Sequence, residues 1–147
     1  MGNPLTRITM QDYKTDKVSV FLEAYIDADG TLILSGQDIG SAVEEYWGDS
    51  HYEYFLHEKK ADKEKIPLLL VKERFTDMPD FLKWLSEKGI PGGPGWGKSD
   101  FETYLDGKAD YKDTVLLWLL KERFSTMSDF MTWLNEKNIP KEFGSWV

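Results

Sequence analysis

Gly92-Gly93-Pro94-Gly95-Trp96-Gly97-Lys98-Ser99 matches, letter for letter, the G-x-x-x-x-G-K-[ST] pattern by which a loop wraps nucleotide phosphates. That chemistry needs backbone N–H groups and the lysine to converge on an anion, so the loop must join a buried strand to a helix N-terminus. Here the preceding residues have helical spacing, and no apolar strand ends in an Asp that would hold magnesium. The stretch 92–97 is therefore expected to be a Gly/Pro linker between helical units. A nucleotide-binding or small hydrolytic protein using the 92–99 loop is the alternative.

Other constellations resolve less chemistry. His51 and His57 share one face of a strand-like segment, but six residues at about 3.3 Å each place them roughly 20 Å apart, too far for one metal. His51 with Glu53 supplies two ligands and no third. Asp27-Ala28-Asp29-Gly30 has the composition of a calcium loop in the wrong register, and is read as a hairpin turn. Asp27, Asp29, Asp38 and Asp49 become a candidate acid–base group if all of them occupy turn ends of one sheet. The chain has no cysteine, which removes thiolate catalysis, disulfides and Cys-based metal sites. No catalytic residue, cofactor or metal is assigned.

Charge is the stronger signal. The overall formal charge is −8, yet it is local: residues 18–58 contain no Lys or Arg and carry nine acids, Glu23, Asp27, Asp29, Asp38, Glu44, Glu45, Asp49, Glu53 and Glu58. The rest of the chain has 17 acids against 18 bases. Such a field repels phosphate backbones, so direct nucleic-acid binding is disfavoured; it would attract a basic protein surface, and the alternative reading is that it serves solubility. Apolar runs such as Val115–Leu120 fall far short of the roughly 20 residues that span a membrane, and the N-terminus does not resemble a signal peptide. Met1-Gly2-Asn3-Pro4-Leu5-Thr6 fits the loose myristoylation pattern, but without a polybasic neighbour one acyl chain anchors only marginally. A cytoplasmic protein is expected.

These residues need elements to position them. Val18, Val20, Leu22, Ala24 and Ile26 alternate with Ser19, Phe21, Glu23 and Tyr25, the period of a half-buried strand. Asp29-Gly30 turns it back into a strand over Thr31–Leu34, and His51–Glu58 makes another; Leu5–Met10 is a candidate edge strand. Ser41-Ala42-Val43-Glu44 has capping-box spacing and predicts a short helix to about Trp47.

The remainder repeats itself. Leu68–Pro91 aligns without gaps on Leu117–Pro140, with 15 of 24 positions identical. Met78, Phe81, Leu82, Leu85 and Met127, Phe130, Met131, Leu134 fill i, i+3, i+4, i+7, with Trp84 and Trp133 widening each stripe. Gly89 and Asn138 suit a left-handed helix end, and Ile-Pro follows each. Preceding helices over about 66–75 and 113–124 complete two helical hairpins, 61–91 and 110–140. Ser99–Leu105 echoes Ser128–Leu134 and hints at a further helix. The expected architecture is α+β: an acidic β-rich module (1–60) with an antiparallel sheet of three or four strands, then duplicated helical hairpins (61–147). Trp84 and Trp133 are expected in the core, whereas Trp96 and Trp146 fall in loop or tail segments, where an exposed indole would anchor a partner or the neighbouring helical unit.

Gly36-Gln37-Asp38-Ile39-Gly40, Glu44-Glu45-Tyr46-Trp47-Gly48-Asp49-Ser50, Tyr52-Glu53-Tyr54 and the tail Ile139-Pro140-Lys141-Glu142-Phe143-Gly144-Ser145-Trp146 together resemble small bacterial proteins of the toxin-immunity type. The resemblance implies an inhibitor of a basic protein, a toxin being the specific case, and carries no catalytic motif. The expected partner-binding residues are Glu23, Asp27, Asp29, Asp38, Glu44, Glu45, Asp49, Glu53, Trp96 and Trp146.

Overall fold

A computed structural model describes residues 5–40, 51–92 and 101–146. Strands β1 (Arg7–Lys14), β2 (Ser19–Ile26), β3 (Leu32–Ile39), β4 (His51–Glu58) and β5 (Glu142–Trp146) form one antiparallel sheet in the order β1-β2-β3-β4-β5. The β2–β3 turn is built by Asp27, whose Oδ1 accepts from the N–H groups of Asp29 (2.9 Å) and Thr31 (3.0 Å), with Gly30 at φ 81°.

Period-two alternation assigns the two faces. Leu22 and Ala24 on β2, Leu32 and Leu34 on β3 and Leu56 on β4 share one face with Ile8, all buried. Each such leucine contributes about 1.5–3 kcal/mol on leaving water. On the other face Phe21, Glu23, Tyr25, Ser35, Gln37, Glu53 and Phe55 are only half-buried.

The buried face is covered by helices: α1 (Lys60–Lys63), α2 (Ile66–Arg74), α3 (Met78–Glu87), α4 (Phe101–Gly107), α5 (Ala109–Arg123) and α6 (Met127–Glu136). α5 lies on β1 and β2, and α2 and α4 pack against it. Val115, Leu116, Leu117, Leu119 and Leu120 are all buried, so α5 is apolar around much of its circumference, as an enclosed helix must be. Its Asp113 bonds the buried Lys63 at 2.8 Å, and Thr114 accepts the Leu5 N–H at 2.8 Å.

The matching segments take matching local structure. Asp77 and Thr126 cap α3 and α6 by accepting the N–H groups of Asp80 and Asp129, each at 3.1 Å. Both helices end on a left-handed residue, Gly89 at φ 70° and Asn138 at φ 57°, after which the N–H groups of Ile90 and Ile139 return to Leu85 and Leu134 at 2.9 Å. Met78, Phe81, Trp84 and Leu85 are buried, as are Met127, Phe130, Trp133 and Leu134. Phe75 packs on Phe81 and Trp84, and Phe124 on Phe130 and Trp133.

Three expectations change. The sheet has five strands rather than three or four, because residues 142–146, read as tail, pair with the open edge of β4; Trp146 therefore belongs to a strand. β1 continues to Lys14 through a bulge between Thr9 and Gln11. The helix α2 packs on α5, across the two matching segments, and the hairpins expected within 61–91 and 110–140 are not confirmed as packed pairs. The helix expected from Ser41 and the 93–99 part of the glycine loop lie outside the described residues. No described helix is long and apolar enough to cross a membrane.

Candidate functional site

On its helix-facing side the sheet changes character along its length. β3 reads Leu32, Leu34, Gly36, Asp38 and β4 reads, antiparallel, Glu58, Leu56, Tyr54, Tyr52. Beyond the leucines the face turns aromatic and polar, and there a cleft of about 560 Å³ opens between the sheet and the first turn of α6. Gln11, Val20, Asp38, Tyr52, Tyr54 and Phe143 come from the five strands, and Thr126, Met127, Ser128 and Met131 from the helix. The volume is within the range of ligand pockets.

Gly36 lets the Tyr54 ring lie close against β3, since a Cβ there would fall 2.3 Å from that ring. The Tyr54 hydroxyl donates to Asp38 Oδ1 at 3.0 Å, and the Tyr52 and Tyr54 rings lie 5.6 Å apart. Burial, then the Asp38 charge and this hydrogen bond, push the Tyr54 phenol well above its ordinary pKa, so it stays a neutral donor. Among the described residues Asp38 is the only charged side chain of the lining, and it forms no ion pair with any of them.

The remaining expected residues are dispersed. Glu23 lies on the other face, where Arg7 reaches both its oxygens at 2.9 Å while covering the Tyr25 ring at 4.5 Å. Glu53 is on that face too, between the backbones of Gln37 and Trp146. Asp27 and Asp29 sit at the β2–β3 turn, at the opposite end of β3 from Asp38, so the proposed acid–base group does not assemble from these three. Glu44, Glu45, Asp49 and Trp96 are outside the described residues. The described acids occupy both faces and one turn of the sheet, not a single surface.

Two carboxylate sites were not anticipated. Glu58, at the end of β4, is 0% exposed, and neither of its oxygens has a hydrogen-bond partner among the described residues. Burial, then the charge of Asp62, raises its pKa to about 7 against the pull of Lys141 and Lys65. It borders a small cavity of about 90 Å³ with Asp62, Lys141 and Glu142. At the α2–α5 crossing, Glu73 accepts from Trp133 Nε1 (2.9 Å) and Arg123 Nε (2.5 Å), while Glu122 accepts from Trp84 Nε1 (2.8 Å), Arg74 and Lys88 (2.5 Å). Each segment's glutamate is bonded by the other segment's Arg and Trp. Burial would raise both carboxyls, and these donors outweigh it and hold them below the ordinary glutamate value. Among the described residues no three His, Cys, Asp or Glu side chains form a group able to hold a metal.

No protein-family model, no curated protein and no solved structure matches this chain.

Proposed function

We propose that the chain is a non-enzymatic protein-binding module that engages a basic protein, in the manner of an immunity-type inhibitor acting on a toxin. The observation that carries it is the charge distribution: residues 18–58 hold nine acids and no Lys or Arg, and the cleft between the sheet and α6 is lined, among the described residues, by one acid and no Lys, Arg or His. Fields of one sign raise association rates with oppositely charged partners and add less to final affinity. Reversal of Asp27, Asp29, Glu44 and Glu45 to lysine is expected to slow association with a basic protein captured from native extract at low salt, with little change in dissociation. An acidic captured partner, or an association rate indifferent to the reversals and to salt, overturns the proposal.

The same reading takes α2–α3 and α5–α6 as two copies of one helical hairpin serving as scaffold. It is supported by the 15 shared positions of 24 and by the matching caps, stops and aromatic contacts. The nucleotide-binding alternative rests on the letter match at 92–99. The element before it is the helix α3, and Ile90 next to it is a buried helix stop. ATP or GTP with magnesium is expected to leave tryptophan fluorescence unchanged; saturable micromolar binding lost in Lys98→Ala establishes the alternative.

A further inference from the structure

The cleft beside Asp38 has a chemistry more specific than an acidic field. Its walls are apolar and aromatic: Val20, Met127 and Met131, with Phe143 47% exposed at its side. The one charge among its described residues is the Asp38 carboxylate, whose Oδ1 is held by Tyr54, and the paired rings of Tyr52 and Tyr54 lie beside it. The nearby α6 N-terminus does not recruit an anion in its place, because Thr126 Oγ1 already takes the Asp129 N–H at 3.1 Å and the Asp129 carboxylate sits in the first turn.

An apolar trough with aromatic faces and a terminal carboxylate complements a side chain with an aliphatic stem and a flat cationic head. A guanidinium stacks on aromatic rings and bonds a carboxylate through a rigid fork; an ammonium does the second less directionally and the first less well. Inserted arginines filling pockets are also frequent anchors of protein interfaces. We infer that the Asp38 cleft receives an arginine side chain of the basic protein partner, which rests on the protein-binding reading above and names its anchor.

The test uses the full chain, isotope-labelled, titrated with a short glycine-rich peptide containing one arginine and with its citrulline counterpart, a neutral near-isostere. The arginine peptide is expected to shift the backbone amides of residues 38, 52, 54 and 128 saturably, and the citrulline peptide to leave them in place. A lysine peptide should bind more weakly than the arginine one. Asp38→Asn, which keeps an acceptor for Tyr54, should weaken arginine-peptide binding about tenfold or more, the scale of a charge-assisted hydrogen bond. Asp29→Asn, an equal charge change at the distant turn, should alter it less than about twofold, as expected for a solvent-exposed and screened charge. Phe143→Ala, at an exposed position where folding is not at stake, should cost about two- to fivefold by removing a ring from the trough. Equal loss from Asp29→Asn and Asp38→Asn, or shifts confined to the other sheet face, refutes the cleft while the acidic-field reading stands. Equal binding of the arginine and citrulline peptides refutes the cation preference. If the captured partner proves acidic, the broader reading fails, and the inference falls with it.

Discussion

The α2–α5 crossing and the helix-facing side of the sheet each hold two carboxylates, and they treat them in opposite ways. At the crossing, Glu122 has three donors and Glu73 two, each from the opposite matching segment. On the sheet, Asp38 has a phenol and Glu58 has no partner among the described residues. Charges that hold a fold together are answered by geometry within it, because an unanswered carboxylate out of water is costly. The crossing is therefore architecture. Asp38 and Glu58 differ from Glu23, which Arg7 answers on the same sheet: Glu58 is met by a proton, and a foreign cation is the proposed partner of Asp38.

The largest effect separating the two regions should come from the tryptophans of the crossing. Trp84 and Trp133 are buried to 4% and 3% exposure, and each also supplies a bond to a glutamate. Alanine at either position is expected to cost about 3–5 kcal/mol, seen as a lower denaturant midpoint. An unchanged midpoint would mean that the segment is not part of the scaffold.

Glu58 should produce the next largest effect, and a pH-dependent one. Its native pKa of about 7 exceeds the ordinary glutamate value of 4.5, so the native state holds a proton that the unfolded chain has already released in that interval. The stability contributed by this group is complete below about pH 4.5 and declines as the pH rises to about 7, by up to about 3 kcal/mol, then levels off. Glu58→Gln is expected to remove that decline. Parallel stability–pH curves for the two proteins would show that the carboxylate finds a partner when it ionises.

The glutamates of the crossing come third. Replacement of Glu122 by Gln should cost about 1–3 kcal/mol, since three donors lose a charged acceptor. Glu73→Gln should cost less, because Glu73 has two donors and is more exposed, at 34% against 23%, and so more screened. Equal losses would show that Lys88 adds nothing to the Glu122 site.

Much of this division is legible in the sequence. The alternation from Val18 to Ile26, the Asp29-Gly30 turn, the apolar stripes of 78–85 and 127–134 and their Gly89 and Asn138 stops are local signals, and the local structure follows them. What is missing from the sequence reading is non-local. Glu142–Trp146 has no clear alternation and becomes a strand because β4 offers an edge. The exchange of bonds between the segments spans 38 to 60 residues, beyond any helical period, though the identical Lys-Glu-Arg-Phe at 72–75 and 121–124 marked the residues concerned. Asp38 was among the expected binding residues, but its partner Tyr54 was not. The available clue was parity: Asp38 lies an even number of residues from Leu32 and Leu34, and Glu58 from Leu56, which puts both acids on the core-facing side rather than in water.

The crossing's carboxylates build the fold, and Asp38 does not. Denaturant unfolding of Asp38→Asn and Glu122→Gln side by side at low salt separates the two roles. Asp38→Asn is expected to stay within about 0.5 kcal/mol of the parent chain while Glu122→Gln loses about 1 kcal/mol or more. A loss in Asp38→Asn as large as that in Glu122→Gln would contradict this division, and would place Asp38 in the architecture instead of in a binding site.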